Sequence, residues 1–142
     1  MDIEQFTRLA DELMERIPPP VLEGLNGGVT VRRKARRNPG DPEGVFILGE
    51  YITDPHLGCH VALYYGSFLA LFEGEPDELW EDELYQTIKH ELLHHLEARA
   101  GEYDLDVEDA VSLREMQEQA PPREPAGPPR KFRLKRPLRG QP

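Results

Sequence analysis

One decapeptide constrains this chain more than any other feature: residues 88–97 contain His90-Glu91-Leu92-Leu93-His94, an HExxH pattern, with a further histidine at His95. Two histidines four residues apart lie on one face of a helix, with Cβ atoms roughly 6 Å apart. Both imidazoles can then reach one metal ion. The glutamate after the first histidine points toward the same site, where it can take a proton from metal-bound water. The pattern therefore requires a helix, and the flanks supply one. Residues 77–100 are rich in Glu, Leu, Gln, Lys and Ala, all good helix formers. Pro76-Asp77 makes a start and Gly101 a stop. Leu84, Ile88, Leu92 and Leu96 form an apolar stripe at i, i+4 spacing. At about 100° per residue, His90, His94, Thr87 and Glu97 fall on the other side. This predicts a helix with one face in the core and the other flooring a cleft.

A hydrolytic zinc site needs three protein ligands and an open position for water. His90 and His94 supply two, with Zn2+ as the expected cofactor and Glu91 as the catalytic general base. The third ligand must come from chain that reverses after the helix. The expected helix runs about six residues past His94, or roughly 9 Å at 1.5 Å per residue. A returning segment at about 3.3 Å per residue recovers that distance in about three residues. Asp104 then falls near the right level. Asp109, Glu102 and Glu108 remain alternatives, and Glu97 reads as a group that orients an imidazole. His95 falls toward the apolar side and reads as a packed residue. His56 and His60 read as loop or strand-edge histidines.

The remaining pattern indicates an α+β domain with a small mixed sheet packed on the HExxH helix. Residues 2–17 place Ile3, Phe6, Leu9, Ala10, Leu13, Met14 and Ile17 on one face, an amphipathic helix that Pro18-Pro19-Pro20 ends. Residues 28–33 and 45–52 alternate as strands. Residues 60–72 read as a third strand, interrupted at Gly66-Ser67 by a bulge or turn. Residues 106–119 carry Val107, Ala110, Val111, Leu113 and Met116 at helical spacing.

Charge divides the chain in two. Of 17 Lys/Arg and 27 Asp/Glu, seven basic residues and one acid fall in residues 121–142. That segment carries +6 and residues 1–120 carry −16. The segment is rich in proline and poor in large apolar groups, so it reads as a disordered basic tail beyond a domain of residues 1–120. A tail of this kind either contacts nucleic acid or an acidic partner, or folds back weakly on the acidic body. A basic run at Arg32-Arg33-Lys34-Ala35-Arg36-Arg37 reads as a solvated strand end that could also meet phosphates. The single cysteine, Cys59, excludes an internal disulfide. No run of 18 apolar residues is present, and the first residues lack a basic region followed by an apolar stretch. The expectation is a cytoplasmic protein without a membrane partner.

The chain resembles the small bacterial zincin-like metallopeptidases, or minimal zincins, over roughly residues 1–115. The resemblance lies in Leu48-Gly49-Glu50-Tyr51, in Val61-Ala62-Leu63-Tyr64-Tyr65-Gly66 and most sharply in His90-Glu91-Leu92-Leu93-His94-His95. The family is related to aspzincins, in which HExxH is followed by x-x-Gly-x-x-Asp. Here Leu96-Glu97 stands where that pattern has its turn glycine, and Gly101-Glu102-Tyr103-Asp104 reproduces Gly-x-x-Asp four residues later. The resemblance implies a zincin fold, a peptide or protein substrate, and a substrate-pairing edge strand at residues 60–65. It also implies that Tyr64 or Tyr65 could offer a phenol to an oxyanion. The expected activity is zinc-dependent peptide hydrolysis. The alternative is a non-catalytic metal-binding domain whose tail engages nucleic acid or a protein.

Overall fold

The computed structural model describes residues 1–56, 58–102 and 129–133. Helix α1 spans Ile3–Glu15 and opens on a capping box, with the Asp2 side chain accepting from the Gln5 N–H and the Gln5 side chain accepting from the Asp2 N–H. Short helix α2, Pro19–Leu22, follows the proline run. Strands β1 (Gly28–Arg32), β2 (Val45–Asp54) and β3 (Gly58–Tyr64) precede helix α3 (Tyr65–Phe72) and the long helix α4 (Asp77–Glu102). Strand β4, Arg130–Arg133, completes a four-stranded mixed sheet of order β1-β3-β2-β4. β1 runs parallel to β3, and the other two pairings are antiparallel. The architecture is α+β, as expected.

One face of the sheet meets the helices. Phe6, Ala10 and Leu13 of α1, Leu48 of β2, and Val61 and Leu63 of β3 pack with Leu84, Ile88, Leu92 and Leu96 of α4 in a single core. Phe6, Tyr65, Phe68, Phe72 and Trp80 cluster at one end of it, and the Trp80 indole N–H donates to the Phe72 carbonyl at 2.9 Å. The i, i+4 stripe of α4 thus lies where its periodicity predicts.

Three expectations need correction. Residues 60–72 are not one strand: β3 ends at Tyr64 and α3 begins at Tyr65. Gly66 sits within that helix because backbone, not a turn, demands it. A Cβ there would stand 2.2 Å from the Ala35 amide nitrogen and 2.8 Å from the Arg33 carbonyl oxygen, so only glycine lets α3 lie against residues 33–35. Second, β3 is an interior strand, and the sheet edges are β1 and β4. It therefore cannot pair with a substrate strand. Third, the stretch read as tail contributes β4, which pairs with β2. The expected last helix, residues 106–119, lies outside the described residues, as do 103–128 and 134–142 generally.

β2 contains an irregularity that aims its side chains. Ile47 pairs with Lys131 and Gly49 with Arg130, so Leu48 is an extra residue relative to β4. Phe46 and Leu48 face the core, yet Gly49 also faces α4, where an added Cβ would stand 2.8 Å from Thr87 Cγ2. The pleat changes phase at this bulge. Tyr51 is thereby turned toward α4, and Glu50 toward the opposite face.

Candidate metal centre

α4 brings His90, Glu91 and His94 together, with one ligand atom of each within 4.8 Å of the others. The Nε2 atoms of His90 and His94 stand 3.1 Å apart, with their rings nearly perpendicular at 89°. Two nitrogens about 2.0–2.1 Å from one tetrahedral zinc would stand about 3.3 Å apart. The pair therefore already has the bite that a shared divalent cation requires. Glu91 and His94 are buried and His90 partly so. The cleft face of α4 is thus more enclosed than its sequence suggests, because β4 lies beside it.

Glu91 is fully buried, and burial raises its carboxyl well above the usual carboxylate range, with the Glu50 charge adding to the rise. The Arg130 N–H donates to Glu91 Oε2 at 2.9 Å and opposes that rise, as do the Tyr51 N–H and the Arg130 charge. Oε1 is buried and has no hydrogen-bond partner among the described residues. A raised carboxylate with one orphaned oxygen suits a general base whose proton partner is a water or substrate. The two imidazoles are a donor set that fits a divalent transition-metal ion, with the Glu91 carboxylate beside it.

The second nitrogen of each histidine decides its role. His94 Nδ1 lies 3.9 Å from Glu97 Oε2, so Glu97 stands behind the imidazole, away from the Nε2 bite. Glu97 Oε2 is thus on the Nδ1 side of the ring, beyond hydrogen-bond distance. His95 has both nitrogens engaged. Its Nε2 faces the Glu23 carbonyl at 2.7 Å, and a carbonyl only accepts, so Nε2 carries the proton. Nδ1 then accepts from the Tyr51 hydroxyl at 2.8 Å. Burial lowers the pKa of His95, in keeping with a neutral ring. His60 is buried on β3 and His56 is exposed; neither joins the metal group. Tyr64 and Tyr65 do not face it either. The Tyr64 hydroxyl donates to Glu50 Oε1 on the outer face of the sheet, and the Tyr65 hydroxyl donates to the Met1 carbonyl. Asp104, Glu108 and Asp109 lie outside the described residues, and so does the Glu102 side chain. α4 passes straight through Leu96-Glu97, so no glycine turn follows His94 there.

Two contributors escaped the sequence reading. Glu83 lies on the same stripe of α4 as Thr87, His90 and His94, a spacing the helix period could have revealed. Arg130 reaches the site from 39 positions away in sequence and left no local signal.

No family model and no curated protein matches this chain. Among solved structures, a conserved hypothetical protein from Thermo thermophilus is 42% identical, with a TM-score of 0.62; the match covers 72% of this chain and 100% of that one. The chain belongs to the family of that protein. The relative is itself described as hypothetical, so it supports the architecture and lends no activity. The His90, Glu91 and His94 group could hold a metal ion. No helix among the described residues is long and apolar enough to cross a membrane.

Proposed function

We propose that this protein is a zinc-dependent peptidase, with His90 and His94 holding the metal and Glu91 moving the proton. The observation that carries the reading is the 3.1 Å approach of the two Nε2 atoms beside an orphaned, buried Glu91 oxygen. A bound zinc would supply a Lewis acid that lowers the pKa of water toward about 7. Glu91 would accept the proton released by that water and return it to the leaving amine. Burial raises its proton affinity, which favours the first of these transfers. Glu97 would hold the His94 ring in place from the far side. An extended peptide is the substrate class that would pair with β2 beside α4 in place of β4.

Glu91→Gln separates metal binding from proton transfer. The variant is expected to bind zinc with the parent's stoichiometry and to lose peptide hydrolysis by at least a hundredfold, measured by elemental analysis beside a fluorogenic-peptide assay. Equal turnover by the two proteins would remove Glu91 from the mechanism.

A further inference from the structure

The geometry points to β4 as an occupant bound in cis: residues 130–133 fill an acidic, strand-shaped receptor on the β2 edge, and an extended Arg-Lys-bearing peptide is the ligand class that would replace them. Four anchors define the receptor. The Arg130 N–H donates to Glu91 Oε2 at 2.9 Å. The Arg130 guanidinium donates to Thr87 Oγ1 at 2.7 Å, to Glu83 Oε2 at 2.9 Å and to the Glu83 carbonyl at 3.0 Å. Lys131 pairs with Asp41 at 2.9 Å. Phe132 packs edge-on against Phe72, with ring centroids 5.2 Å apart.

The recognition is chemically selective. Arg130 and Glu83 side chains are 14% and 15% exposed, so the pair is largely withdrawn from water. A guanidinium offers a planar fork that meets a carboxylate, a carbonyl and a hydroxyl together, which an ammonium cannot. Remove β4, and the β2 edge and the Glu83 carboxylate lose their partners at once, and Glu91 Oε2 loses the Arg130 N–H. What is left is an anionic slot shaped for an extended strand with arginine at the position beside Glu91. The segment that fills it belongs to the +6 end of a chain whose body carries −16, so attraction between the two parts favours occupancy in cis.

The occupant also covers the group that the proposed reaction uses. Arg130 holds Glu91 Oε2 and Oε1 is buried beside it, so a peptide that pairs with β2 at Glu91 must first displace β4. This inference rests on the peptidase reading for the role of Glu91, but its binding step does not. The strand is thus an autoinhibitory element, and competition for the β2 edge controls access.

The test is binding in trans of a fluorescent peptide, Pro-Pro-Arg-Lys-Phe-Arg-Leu, to full-length protein, read by anisotropy. Arg130→Glu sets the resident strand against Glu83 and is expected to bind the peptide at least tenfold more tightly than the parent, whose receptor is filled. Adding Glu83→Gln should weaken that binding at least tenfold. Should Arg130→Glu not fold, Arg130→Gln keeps the strand's backbone, removes the charge that meets Glu83 and should give the same order. Equal peptide binding by parent and variant, including none by either, overturns the proposal, as does binding indifferent to Glu83. Binding in this order by a zinc-loaded protein that hydrolyses no fluorogenic peptide, in the parent or in Arg130→Glu, would sink the peptidase reading alone.

Discussion

Tyr64 shows how one residue's surroundings decide its chemistry. Its hydroxyl donates to Glu50 Oε1 at 2.7 Å on the face of the sheet away from α4. Burial, then the hydrogen bond and charge of Glu50, push its pKa up to about 12 from 10.0. The folded state therefore holds the phenolic proton more tightly than the unfolded chain does. That contribution is complete below pH 10 and is lost as pH rises through about 12. Two units correspond to about 2.7 kcal/mol at most. Tyr64→Phe should accordingly lose less stability than the parent between pH 10 and 12 in urea titrations. An unchanged difference between the two proteins across that range would contradict the assignment. The resemblance to zincins proposed this phenol, or that of Tyr65, for an oxyanion. Only the pleat shows that it points to the wrong face. His90, Glu91 and His94 were legible for the opposite reason: helical period alone places them together.

At the scale of elements, helices with a strong period were readable and long-range fits were not. α1 and α4 follow from their apolar stripes, with bounds close to those expected. Residues 60–72 are apolar nearly throughout, so neither a period of 2 nor of 3.6 stands out. Gly66-Ser67 then reads as a turn, although the glycine answers to the backbone of residues 33–35. The bulge in β2 was hidden likewise, since one extra residue is defined only against β4. Its consequence can be measured. Gly49→Ala puts a methyl 2.8 Å from Thr87 Cγ2, where β2 faces α4. Overpacking of this kind costs about 1–3 kcal/mol. Thr87→Ser deletes that methyl while keeping the hydroxyl that meets Arg130, so the double variant should recover most of the loss. Strictly additive effects in the four denaturation curves would show that the two groups do not meet.

At the scale of the whole molecule, the charge imbalance predicted two parts, and the structure joins them. Arg130 and Lys131 reach Glu83 and Asp41, so the basic segment folds back on the acidic body at these points. The contact encloses a helix face that would otherwise be an open floor, and it does so around two histidines and a buried carboxylate. Such a site places costly polar groups together in the metal-free state, and a cation that satisfies them stabilises the fold only if it binds there. Zinc a hundredfold above its dissociation constant would add about 2.7 kcal/mol by mass action. For a domain of this size that is a rise of roughly 10 °C in Tm. Zinc-loaded and chelator-stripped protein should therefore differ by about that amount in thermal scans. His90→Gln and His94→Gln should each remove most of the difference, while His56→Gln, on an exposed loop, should leave it intact. Identical melting of parent protein with and without zinc would mean that the 3.1 Å histidine pair holds no metal in the folded chain, and the hydrolytic reading would fall with it.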